Sequence, residues 1–134
     1  MLETGLFQFL ATQPNINSLI ADRVFFVKMP VKETPLPAVV FTVISTRRVW
    51  SANGPSGLRF SYLQFDTYAE TFTESRDVTA ALRLALENMI NVTLPDGTRV
   101  QGSVVTNEMD FHYEPGTSGY IFRRCLEIEF QHDE

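Results

Sequence analysis

The chain of 134 residues has 44% apolar side chains, 11 basic against 16 acidic residues and a formal charge of −5. This length and apolar content predict one folded domain over residues 1–134, with no need of a disulfide or metal staple, and exclude a disordered chain. The acidic balance argues against a general nucleic-acid binder, and the lone Cys125 excludes an intramolecular disulfide framework.

Leu2, Leu6, Phe9 and Leu10 recur at helical spacing and predict a short amphipathic helix that stops before Pro14. Ile16, Leu19 and Ile20 add a further helical turn. The opening MLETGLFQFLATQPN carries an acid and breaks at Pro14, so no secretion signal is expected, and no run reaches the ~20 apolar residues of a membrane span. The expectation is a soluble chain made in a reducing cytoplasm.

The run RVFFVKM (Arg23 to Met29) reads as a strand ended by Pro30, followed by the extended connector VKETPLP. Ala38 to Arg48 is rich in β-branched residues, with a first half apolar on both faces, as in a strand covered on both sides. VWSANGPSG then reads as a loop or hairpin tip. Leu58 to Tyr68 supplies the second strand of a long β-hairpin.

The most sharply marked element follows. Thr71 and Glu74 have capping-box spacing, and Val78, Ala81, Leu82, Ala85, Leu86, Met89 and Ile90 form one apolar face. Arg76, Asp77, Thr79, Arg83 and Glu87 fall opposite, giving an expected helix of about five turns built to lie on a sheet. Pro95 to Thr98 is a turn, Arg99 to Thr106 a strand, and Asn107 to Gly119 a polar connector. The closing strand has Tyr120, Phe122, Leu126, Ile128 and Phe130 alternating with Ile121, Arg123, Cys125, Glu127 and Glu129. The expected fold is α+β: an antiparallel (mixed) β-sheet of about four to five strands, packed on one face by a long helix and a short N-terminal helix.

Catalytic constellations are sparse. His112 lies in the polar connector and His132 near the end of the chain, and both read as solvated. Neither His-Glu-x-x-His nor Cys-x-x-Cys occurs, so no metal site is expected. Cys125 with His112 as base would make a nucleophile, but Cys125 lies in a terminal strand without a cysteine-enzyme signature and reads as a structural thiol. Glu127 and Glu129 share a strand face, roughly 6.5–7 Å apart, which suits acid/base work and equally suits a charged face that keeps a sheet soluble. Gly54 and Gly57 match neither a phosphate loop nor a dinucleotide fingerprint. No cofactor and no enzymatic activity are expected.

Two segments point instead to partners. Arg47, Arg48 and Trp50 run into the turn residues Asn53 and Pro55, and arginine and tryptophan are enriched at interface hot spots. Trp50 either packs locally or meets a partner. The second segment holds Asp110, Phe111, Tyr113 and Glu114 in the polar connector, where aromatic rings either order on binding or are scattered surface rings. Of the remaining aromatics, Phe9, Phe41, Phe65, Phe122 and Phe130 fall on periodic apolar faces and are assigned to the core.

The order of segments resembles the tail completion, or head–tail joining, proteins of long-tailed bacteriophages and prophages. The similarity rests on LPAVVF after a Pro-rich lead, then GPSGLRFSYLQFDTYAETFTESRDVTAALRLAL, and the closing EMDFHYEPGTSGYIFRRCLEIEFQH. Gly54 and Gly57 bound the strand entry, Gln64 and Asp66 end that strand, Thr73-Glu74-Ser75 enter the helix, and Tyr113, Glu114, Gly119 and Tyr120 lead into the last strand. The resemblance implies a subunit that caps the head-proximal end of the tail tube as a ring, expected to be a hexamer, and joins it to the head connector. Its partners would be copies of itself, the tail-tube protein and the head-connector or stopper protein, with DNA passing through the ring, no specific nucleic-acid contact and no membrane. Its place would be the head–tail junction of the virion, after synthesis in the host bacterial cytoplasm. The family has no catalytic residues to carry over. A small acidic cytoplasmic adaptor or inhibitor, and a small α+β enzyme, are the alternative classes.

Overall fold

The computed structural model describes residues 1–21, 23–27, 36–116 and 119–133, with backbone alone for 112–116 and 119–120. Helices α1 (Leu2–Ala11) and α2 (Pro14–Ile20) precede strands β1 (Val24–Phe26), β2 (Ala38–Ser51) and β3 (Gly54–Ala69). Helix α3 (Phe72–Leu86) is followed by β4 (Val92–Thr93), β5 (Arg99–Gly116) and β6 (Gly119–Asp133). The strands form a mixed six-stranded sheet in the order β1-β2-β3-β6-β5-β4, antiparallel except for the β1/β2 pair. The expected count of four to five strands is therefore corrected to six, and the helix count to three. The added strand, β4, has only two residues and carries no periodicity of its own.

Alternation along the central strands sets the two faces. Leu63 and Phe65 of β3 lie level with Leu126 and Ile128 of β6, and all four are buried with Val78, Leu82 and Leu86 of α3. A row of rings crosses this face: Phe26 lies 5.2 Å from Phe41, Phe41 stacks on Phe65 at 5.4 Å, and Phe65 meets Phe130 at 6.4 Å. Helix α1 adds Leu2, Leu6 and Leu10, and α2 adds Ile16 and Ile20. Gly5 sits where α1 crosses the turn before β5, so close that a Cβ there would run into the Asp96 carboxylate and come within 2.9 Å of the Leu94 side chain. The Met1 amino group donates to the same carboxylate at 2.9 Å. Of the rings assigned to the core, Phe41, Phe65 and Phe130 are fully enclosed, while Phe9 and Phe122 are half-buried.

Several expected boundaries move. Helix α3 starts as expected, with the Thr71 hydroxyl accepting the Glu74 N–H at 3.1 Å, but it ends at Leu86 rather than Ile90. Glu87 is already extended and Asn88 takes a left-handed φ of 55°, so Met89 turns back into the core and Ile90 is left 72% exposed. Thr79 is buried, not on the polar side, and donates to the Thr67 hydroxyl of β3 at 3.2 Å. The Arg23 to Met29 strand shortens to Val24–Phe26; residues 28 and 29 lie outside the described residues.

Of the two turn-rich segments, VWSANGPSG is the hairpin tip, the second of the two forms expected for it: β2 runs to Ser51 and β3 begins at Gly54, leaving Ala52 and Asn53 as the turn. Gly54 has φ +113° and Gly57 +84°, values that a side chain would strain. The Asn107–Gly119 connector is corrected: from Asn107 to Gly116 it is strand, since β5 continues to Gly116 opposite β6, with irregularities at Val105/Asn107 and Phe111/Glu114, and residues 117 and 118 lie outside the described residues. Backbone pairing with β6, not apolar alternation, holds this stretch extended.

Candidate assembly interface

The two hairpins project from opposite ends of the sheet. Pairing of β3 with β6 begins at Leu58 opposite Asp133, so the pairs Trp50–Pro55 and Ser51–Gly54 form a two-stranded arm beyond the end of β6. At the other end, β3 stops pairing at Ala69 opposite Phe122, while β5 and β6 continue through Glu114–Ile121 to Gly116–Gly119. β3 alone, with 16 residues, spans on the order of 50 Å. The arms are thus set at opposite poles of an elongated scaffold.

The first arm is built from polar turn chemistry with an exposed ring on it. Ser51 Oγ donates to the Gly54 carbonyl at 2.9 Å and Ser56 Oγ to the Val49 carbonyl at 2.7 Å, fixing the turn without any core. Trp50 is 67% exposed, which rules out local packing as its role in the free chain. Arg47 lies with its guanidinium 4.6 Å from the centre of the Phe60 ring, and Arg48, Asn53 and Pro55 are exposed beside it. Of the sequence-predicted residues, Trp50, Asn53 and Pro55 lie on this arm, while Arg47 and Arg48 lie at its base, where β2 and β3 still run beside β6.

At the base of the second arm, Asp110 and Phe111 are occupied within the sheet. Arg124 Nη1 donates to both Asp110 oxygens, at 2.9 and 3.0 Å, and its Nε to Glu108 at 3.0 Å. Arg123 lies 4.4 Å from the Phe111 ring centre on the face opposite α3, and its Nε donates to the Asp66 carboxylate at 3.2 Å. Burial opposes the Arg123 charge, but Asp66 outweighs it and holds the guanidinium above its ordinary range. Phe111 remains 39% exposed. The side chains of Tyr113 and Glu114 lie outside the described residues; their backbone belongs to the outer part of β5.

The candidate reactive groups are closed off. Burial, with Asp66 and Glu127 nearby, pushes the Cys125 thiol up to about 12, so it stays protonated and inert at neutral pH. His132 is buried, against the solvated position expected from the sequence: the Ser61 hydroxyl lies 2.7 Å from its Nε2, and Nδ1 is 2.8 Å from the Asp133 carbonyl. With Nδ1–H donating to that carbonyl, Nε2 accepts from Ser61. The pair resembles a nucleophile with its base, yet both residues are buried. Burial also lowers the His132 pKa. His112 lies outside the described side chains. Glu127 accepts from the Tyr62 hydroxyl at 2.9 Å, which in turn accepts from Thr106 at 2.9 Å, so it is tied into the sheet surface apart from any base role. Among the described residues no group of three metal-ligating side chains occurs, and no helix is long and apolar enough to cross a membrane.

Neither a family model nor a curated protein matches the chain in sequence. Among solved structures, a chain of the virion of the native gene transfer agent particle superposes with a TM-score of 0.78. The match covers 99% of this chain and 95% of that one at 13% identity. The likeness over essentially the whole of both chains establishes a shared fold.

Sequence reasoning missed one surface. Ile90 and Val104 are 72% and 60% exposed and flank a depression of about 150 Å³ lined by Phe60, Met89 and Glu129. Ile90 fits the α3 periodicity, and the helix end, with Glu87 extended and Asn88 left-handed, takes it out of the core.

Proposed function

We propose that the chain is a structural protein of a phage-like virion, which caps the head-proximal end of the tail tube as a ring and joins the tail to the head connector. The observation that carries the reading is the full-length fold match to a gene transfer agent virion chain, two chains of the same extent sharing one architecture at 13% identity. Two arms at opposite poles of one rigid sheet suit a subunit that must contact one layer above and another below. Heterologous contacts between identical subunits close such a ring. The proposal gives the chain no catalytic step.

The test is complementation of a phage or prophage lacking this gene. Wild-type protein restores joined particles. A variant with Val49 to Leu58 shortened to a two-residue turn keeps its melting temperature and leaves heads and tails separate. Joined particles with the shortened variant would overturn the reading.

A further inference from the structure

The two hairpins carry opposite charge. Residues 38–65, which make up β2 and most of β3, contain Arg47, Arg48 and Arg59 and no acid. Residues 101–116 of β5 contain Glu108, Asp110 and Glu114 and no lysine or arginine. Arg124 reaches Glu108 and Asp110 from β6, on the inner side, so the carboxylates remain on the strand at the sheet margin.

That margin is open. β4 pairs with β5 only at Arg99 and Val100, and the carbonyls of Gln101 and Ser103 accept from Asn91 and Asn88. From Val104 to Phe111 no described strand lies on the outer side of β5. An uncovered strand edge invites pairing with another strand. The depression beside Ile90 and Val104, lined by Phe60 and Met89 and by the polar Ser103 and Glu129, opens at the start of this edge.

Resting on the ring reading above, we propose that the β2–β3 arm of one copy lies along the β5 edge of the next, with Trp50 against Ile90 and Val104. The arm supplies an exposed aromatic ring and its base the basic charge of Arg47 and Arg48; the edge supplies acidic charge, an open strand margin and the exposed Ile90 and Val104 side chains. The two are not level in one copy, since the edge runs from mid-sheet at Val104 toward the end away from the arm. Trp50 is level with Pro55 of β3, while Val104 is level with Glu129 and thus with Tyr62. That separation, about 20 Å along the strand direction, displaces each copy along its strands relative to its neighbour. A closed ring accommodates such a displacement only with strands inclined to its axis, the shear that barrels require. The contact is heterologous, so it continues from copy to copy instead of stopping at a dimer, and closes into a ring where the rotation between copies divides a full turn.

Charge reversal with rescue tests the contact, read by light scattering and native mass spectrometry at low salt. Arg47→Glu with Arg48→Glu places acid against the edge; Val104→Arg, at an exposed position, places base against the arm. Each is expected to reduce the assembled fraction about tenfold or more, because like charges in apposition are strongly unfavourable. The triple variant combining them is expected to recover assembly to within about threefold of wild type. Circular dichroism melting confirms folding of each variant. Assembly that ignores the single reversals, or a triple variant no better than they are, overturns this contact and leaves the ring reading standing. A wild-type chain that stays monomeric up to ~1 mM overturns the ring reading and the contact with it.

Discussion

The Arg123 guanidinium lies 4.4 Å from the centre of the Phe111 ring while its Nε pairs with Asp66 at 3.2 Å, so one side chain joins the base of the second arm to the centre of the sheet. The two halves of this contact differ in weight. Phe111 is partly exposed, so Phe111→Ala loses about 0.5–1 kcal/mol of cation–π attraction. Arg123→Ala takes the cationic partner from the buried Asp66 carboxylate, to which Gln64 still donates, and costs more, about 1–3 kcal/mol. Urea denaturation of the two variants is expected to rank them in that order; equal costs would contradict it.

His132 makes stability depend on pH. Its folded-state pKa is depressed, first by burial, so the unfolded chain binds the proton more readily. Stability is therefore full above the ordinary value of 6.5 and is lost as pH falls through the folded-state pKa. The loss is up to about 1.4 kcal/mol per pH unit across that window. His132→Gln should flatten the stability profile as pH falls below the ordinary value of 6.5. A wild-type profile flat across the window would contradict the assignment.

Gly5 is expected to resist a substitution that helix propensity favours. Alanine gains about 1 kcal/mol in a helix interior. Here its Cβ meets an Asp96 carboxylate already held by the Thr98 N–H at 3.0 Å and by the Met1 amino group. Overpacking costs about 1–3 kcal/mol, so Gly5→Ala should lower the melting temperature. A higher melting temperature would show that the Asp96 turn yields.

Cys125 is expected to escape thiol reagents in the native state. With its thiol pushed up to about 12 and no surface exposed, labelling at pH 8 should require unfolding. Rapid labelling of folded protein would contradict its buried position.

Local signals made much of this fold readable from the chain. The Thr71 cap, the α3 periodicity as far as Leu86 and the β2–β3 hairpin are fixed by residues a few positions apart, and each is found in place apart from the buried Thr79. The outer half of β5 was not readable, because its order comes from pairing with β6. No helix covers Glu108 and Asp110, so ion pairs to Arg124 stand where a core would have left an apolar alternation. His132 misled for a similar reason: its burial depends on Ser61, 71 positions away. In the candidate interface, the tip residues around Trp50 were marked by turn chemistry. The receiving surface at Ile90 and Val104 was not, since it arises from a helix end and a sheet margin meeting in space.

The most direct measurement of the central claim is the position of the chain in assembled particles. Immunogold labelling with antibody to this protein, followed by negative-stain electron microscopy, should place label at the junction of head and tail and on the head-proximal end of free tails. Label along the tail shaft, at its distal tip, or absent from particles altogether would contradict the proposed role.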